Sequence, residues 1–144
     1  MHFHRDNRVA VATMQEGLLP IPQHALFVYH DLAYHDWEGV ALDLDERERV
    51  VADLGKKNLM LLRNHGTLAA GGSVASCFMR LYYLERACKI QVNAMQGTLN
   101  MPNQGAIDMM EGTFNNPNSW EGLSAVAWPS MLRLADRLDP SYAD

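Results

Sequence analysis

Four consecutive apolar residues, Leu59-Met60-Leu61-Leu62, constrain this chain more than any other feature. A run this short and unbroken reads as a strand buried on both faces, so a layer must pack on each side of it. Asn64-His65-Gly66 is turn chemistry, and Thr67 to Ala70 reads as the returning strand. From Ser73, a good N-cap, to about Met95 the sequence predicts one long helix. Val74, Phe78, Leu81, Cys88, Val92 and Met95 recur at three- and four-residue spacing as its apolar stripe, and Glu85 falls inside that stripe.

Upstream, His2 to Met14 reads as a strand end running into a short helix, punctuated by Gly17 and Pro20. Ala25 to Val28 is a short buried stretch. Asp45, with Glu48 three residues on, predicts a capping-box helix start, with Val50, Val51 and Leu54 as the apolar side and Gly55 as the left-handed stop. Residues 97–119, rich in Asn, Gly and Pro, predict an irregular connection. A last amphipathic helix covers Ser130 to Leu138 with Pro129 at its first position, or starts near Trp120 and kinks at Pro129. Strand, helix, strand, strand and long helix in that order predict an α/β layered architecture.

Charge and cysteine usage narrow the function classes. The net charge is −5 with no Lys/Arg run, so nothing marks a nucleic-acid or anionic-membrane partner. No apolar run approaches the roughly 20 residues that span a bilayer, and the N-terminus lacks a signal-peptide core. Cys77 and Cys88 lie on one predicted helix, their Cα atoms about 16 Å apart, too far for a disulfide. Two free thiols predict a reducing, cytoplasmic setting.

Five of the six histidines fall in the first 35 residues. His2 and His4, two apart in an extended segment, project from one face and can reach one ion. A zinc-type site needs a third ligand, and His65 is the best placed, in a turn at the end of a buried strand. Spacing alone leaves other readings open. A terminal His-x-His pair frays or scavenges copper and nickel, and a turn histidine bonds nearby backbone.

Motifs in order along the chain add a resemblance. His2-Phe3-His4, a Val-Ala-Val-Ala segment and Glu16-Gly17-Leu18-Leu19-Pro20 are followed by Gln23-His24-Ala25 and Tyr34-His35-Asp36-Trp37-Glu38-Gly39. Arg63-Asn64-His65-Gly66-Thr67-Leu68 and Tyr82-Tyr83-Leu84-Glu85-Arg86-Ala87 complete the set. Together, over Met1 to Met95, they resemble the class II aldolase/adducin family. The resemblance implies a three-layer α/β/α domain with a largely antiparallel, mixed sheet, spanning residues 1–96. A connection over 97–119 and a helical segment over 120–144 would follow it. It implies that His2, His4 and His65 bind a divalent metal, zinc first, with manganese, iron or cobalt as alternatives. It implies a metal-dependent aldehyde-lyase or isomerase of carbohydrate metabolism, acting on small hydroxy-carbonyl substrates such as sugar phosphates. The ion would stabilise an enediolate. It also implies a homo-oligomer, often a tetramer.

Relatives in this family carry a third or more of the domain before the His-x-His motif, including phosphate-binding segments and the acid/base residue. The chain is therefore expected to be N-terminally truncated, with a loose site, an exposed sheet edge and weak or no activity by itself. No catalytic acid or base is assigned, and neither Tyr29 nor Tyr34 is matched to the family's borrowed tyrosine. Glu85 is expected either to support His65 by a hydrogen bond or to pair with Lys89. Tyr82, Tyr83 and Trp37 read as packing residues, and Arg47 and Arg49 as a solvated helix face. The adducin branch, a non-catalytic interaction domain, and an inactive remnant are the competing functions.

Overall fold

In the computed structural model, which describes residues 1–39, 44–114 and 116–143, the run Leu59–Leu62 is the third of four strands. In chain order the elements are β1 (His2–Phe3), α1 (Asp6–Thr13), α2 (Gln23–Leu26), a 3-10 turn (Tyr29–Asp31), β2 (Leu32–His35), α3 (Glu46–Leu54) and β3. β4 (Gly66–Ala69), α4 (Val74–Ala94), α5 (Gln104–Phe114), α6 (Pro117–Leu138) and a terminal 3-10 turn (Pro140–Ala143) follow. The strands lie side by side as β1-β4-β3-β2. β4 is antiparallel to both β1 and β3, and β2 runs parallel to β3 with Leu32 opposite Leu59 and His35 opposite Leu62. This is the mixed sheet of the expected α/β class.

Alternation along the strands divides the sheet into two faces. Leu32, Leu59, Leu61 and Ala69 join Val11 and Ala12 of α1, the inner side of α4 and Trp120 of α6 in one core. Ala33, His35, Met60, Leu62 and Leu68 alternate to the other face, where α3 is tied to His35 by an Asp53 Oδ2 to His35 Nδ1 contact of 2.7 Å. Leu59, Met60 and Leu61 are each fully buried, as a strand packed on both sides requires. Three layers result, with α3 on one side of the sheet and α1, α4 and α6 on the other.

α4 begins where its sequence says it should, the Ser73 hydroxyl accepting from the Ser76 amide at 3.1 Å. Its inner face differs from the predicted stripe. Val74 and Met95 are exposed, and Cys77, Leu81, Leu84, Cys88 and Gln91 are buried. A polar residue completes this face. The Gln91 carboxamide donates to Gly17 O at 2.8 Å and accepts from Leu19 N at 2.8 Å, satisfying loop backbone that would otherwise be buried unbonded. Both cysteines are free and buried, and burial followed by the charge of Glu85 pushes the Cys88 thiol up to about 12.

Residues 97–119 are not irregular throughout: they contain α5 and the start of α6. Asn103 Oδ1 caps Ala106 N at 3.0 Å and Asn116 Oδ1 caps Asn118 N at 3.0 Å. The asparagines counted as loop formers act as helix starts. α6 runs through Pro129. Conversely α3 starts without a side-chain cap hydrogen bond, so the expected capping box is absent, while Gly55 ends it at φ 56° as predicted. Among the described residues no helix is long and apolar enough to cross a membrane.

Glu85 takes neither expected partner. It meets Arg8 Nε at 2.9 Å and accepts from Asn7 Nδ2 at 2.8 Å, joining α4 to α1. Arg8 is only 4% exposed, so this pair neutralises a buried cation, whose pKa burial lowers and Glu85 raises. Glu85→Gln is therefore expected to reduce stability in urea unfolding without altering metal affinity, and a changed metal affinity would contradict this placement. Tyr83 packs against Phe27 and Trp120, as expected of it, whereas Trp37 and Tyr82 are exposed.

Candidate metal centre

Two short pieces of chain bring the histidines together. β1 carries His2 and leads directly to His4, and its register fixes His2 opposite Leu68 and Phe3 opposite Thr67. His65 comes from the β3–β4 turn. Asn64 adopts φ 56° there, a left-handed conformation that asparagine tolerates better than most residues, and His65 N donates to Leu62 O at 3.1 Å. Gly66 follows because nothing larger fits. A Cβ at that position would lie 2.7 Å from Phe3 O and 2.8 Å from Cδ2 of the His4 ring.

The three rings meet with centroids 4.5 Å (His2–His4), 5.0 Å (His2–His65) and 4.7 Å (His4–His65) apart. One ring nitrogen from each lies within 4.8 Å of the others, the only such grouping of three His, Cys, Asp or Glu side chains among the described residues. Nε2 of His2 and Nε2 of His4 are 2.8 Å apart. A tetrahedral zinc with bonds of about 2.05 Å holds its nitrogens about 3.3 Å apart, so shifts of well under an ångström to about 1.5 Å would seat one. The His2 pKa is lowered, first by burial and then by the charges of His4 and His65, which favours the neutral imidazole that binds metal. The donor set fits a divalent ion with nitrogen ligands and a free coordination position.

A groove of about 600 Å³ adjoins this cluster, floored by Leu62 and Leu68 and walled by Val50 and Val51 of α3. Glu46 and Arg47 are its ionisable side chains besides His2 and His65. α3 buries no residue among those described, so polar contacts do much of the work of holding it. His35, 4% exposed at the end of β2, binds Asp53 through Nδ1 and has Glu46 Oε1 3.7 Å from Nε2, and Arg49 pairs with Glu38. Arg47, expected on a solvated helix face, lines the groove together with Glu46, and His35, expected only as part of a family motif, anchors α3. The adjacent Tyr-His-Asp-Trp-Glu pattern was visible, but it does not say that α3 lies across β2.

The fold is a mixed sheet between helical layers, with three histidines converging at a strand turn. The sequence model of the class II aldolase and adducin N-terminal domain matches residues 1–92. The chain belongs to the class II aldolase and adducin family. A protein of Caulobacter vibrioides named for aldolase class 2 is 47% identical over 147 residues, covering 100% of this chain and 56% of the relative. The crystal structure of an aldolase II superfamily protein from Pseudomonas syringae superposes with a TM-score of 0.89 at 40% identity, covering 100% of this chain and 58% of that one. L-fuculose 1-phosphate aldolase from Glaciozyma antarctica superposes with a TM-score of 0.77 over 94% of this chain and 52% of its own, and at 19% identity it shows the shared fold. The chain thus spans a little over half the length of these relatives.

Proposed function

We propose that this chain carries the metal-binding part of a class II aldolase-type lyase or isomerase site, with His2, His4 and His65 as ligands and zinc as the first choice of ion. The convergence of three ring nitrogens within 4.8 Å beside a groove carries this reading. A bound divalent ion would supply Lewis-acid polarisation of a substrate carbonyl. The chain's own residues do the rest. Gly66 lets His4 close on the cluster, and Asn64 turns His65 toward it. The groove beside His2 and His65 offers room for a small hydroxy-carbonyl molecule, and Arg47 gives an anionic end, such as a sugar phosphate, a cation to meet. The fold shared with L-fuculose 1-phosphate aldolase supports that substrate class. No acid or base is assigned.

The adducin side of the family offers a second reading, a non-catalytic interaction domain. The three histidines, with ring nitrogens within 4.8 Å of one another, favour the enzyme-type reading. A homo-oligomer is proposed alongside it, supported by the exposed Val126, Leu134 and Leu138 on α6. A cytoplasmic location is proposed from the free thiols. Elemental mass spectrometry of the purified, untagged chain tests the site. Near-stoichiometric zinc or manganese, lost in His65→Ala with the fold intact by circular dichroism, is the expected result. No metal in either protein would overturn the proposal and leave the interaction reading in front.

A further inference from the structure

His65 marks one end of the β3–β4 hairpin, and a second cavity opens at the other. Asn58 precedes β3 and Gly71 follows β4, and between them, where α4 begins, lies a space of about 670 Å³. The four-residue strands separate it from the histidine turn by about 13 Å along the strand direction. Its volume falls in the usual range for small-molecule sites.

The lining is cationic. Lys56, Lys57 and Arg80 all border it, together with Gly71, Gly72 and Trp120. Arg80 is only 5% exposed, and its Nε donates to Asp31 Oδ2 at 3.0 Å. Asp31 Oδ1 is taken by Asn58, which donates from N at 2.8 Å and Nδ2 at 2.9 Å, so the charge of Asp31 is already met from within. Arg80 Nη1 and Nη2 find no acceptor among the described residues, and neither is among the side-chain nitrogens sealed from solvent. What surface Arg80 keeps borders the cavity, close to Gly71, where an added Cβ would lie 3.5 Å from Nη1. Trp120, 1% exposed, lines the same space, and its indole N–H also lacks an acceptor.

Two further features favour an anion there. Lys57 Nζ bonds Leu32 O at 2.9 Å with one of its three protons, while Lys56 is exposed with no partner among the described residues. Against these stands Glu121, an exposed carboxylate on the lining, and Glu111, 3.5 Å from His30. Two lysines and the terminal nitrogens of Arg80 outweigh them. Doubly charged oxyanions match this set best, because each oxygen can accept from several donors at once.

We propose that this cavity is a second ligand site, separate from the proposed metal centre, that binds a small organic phosphate through Lys56, Lys57 and the terminal nitrogens of Arg80. Titration of the ¹⁵N-labelled chain with inorganic phosphate and with glycerol 3-phosphate tests it, at fixed ionic strength and with chelator present so that metal-bound phosphate does not contribute. The expected result is saturable movement of the Gly71 and Gly72 amides and of the Trp120 indole signal. Glycerol 3-phosphate should bind at least as tightly as inorganic phosphate, and His65→Ala should bind both unchanged. In Lys56→Ala/Lys57→Ala, both residues being exposed, affinity should fall about tenfold or more with thermal stability nearly unchanged. Absence of saturable movement, equal affinity in the double variant, movement confined to the His2–His65 groove, or binding of inorganic phosphate alone would each overturn the proposal. Because metal plays no part in these readouts, failure here leaves the metal-site reading standing, and the reverse holds as well.

Discussion

Gly66→Ala is expected to lower metal affinity by about tenfold or more while costing the fold only about 1–3 kcal/mol. The reason is contact rather than conformation, because Gly66 has no positive φ. An alanine methyl carbon would sit 2.7 Å from Phe3 O and 2.8 Å from His4 Cδ2. The first is backbone and cannot rotate away, so β1 itself must retreat from β4. β1 is two residues long, held by pairing at His2 and Phe3 and by the Ala69 N to Met1 O bond at 2.8 Å. So short a strand yields before the buried β3–β4 pairing does. When it yields, His2 and His4 move together away from His65. Isothermal titration with zinc reads the affinity loss, and Gly72→Ala, where a Cβ meets nothing within 4 Å, is the control. Equal affinity in Gly66→Ala and the parent chain would show that β1 placement does not govern the site.

How much of this was legible in the sequence depends on whether the deciding contact is local. The buried strand, the turn, the returning strand and the Ser73 cap are all written within a few residues of themselves, and each appears where expected. The convergence of His2, His4 and His65 was legible because family motifs linked positions 63 residues apart; spacing alone joined only His2 and His4. What escaped was set across the fold. Gln91 carries no local signal in the sequence, and only its contacts show its amide closing the Gly17–Leu19 loop from 72 and 74 residues away. Glu85 reads as a support for His65 or a partner for Lys89 one turn on, but Arg8 of α1 is buried beside it and needs a counter-charge more than an exposed lysine does. The helix in 97–119 was missed for a different reason. Composition counted Asn103 and Asn116 as loop formers, when their position one step before a helical run makes them caps.

The same distinction between buried and exposed charge decides the second large effect, at Asp31. Asp31→Ala is expected to destabilise the chain by about 3–5 kcal/mol, because it leaves the Arg80 guanidinium buried without its counter-ion. The side chains of this pair are 6% and 10% exposed. Asn58 loses the acceptor for both its backbone N–H and its side-chain amide at once, adding unmet donors at the start of β3. Arg49→Ala, which removes the pair with Glu38, should cost less than about 1 kcal/mol, since those side chains are 45% and 35% exposed and water replaces the lost contact. Urea unfolding of the three proteins at neutral pH separates the cases. A domain of this size holds only about 5–15 kcal/mol in total, so the Asp31 variant should melt far below the parent. Replacing both members, as in Asp31→Leu/Arg80→Leu, should recover much of the loss, because no unpaired charge then remains in the interior. If Asp31→Ala and Arg49→Ala cost the same, burial is not what gives the Asp31–Arg80 pair its weight, and the anchoring of β2 and β3 to α4 must lie elsewhere.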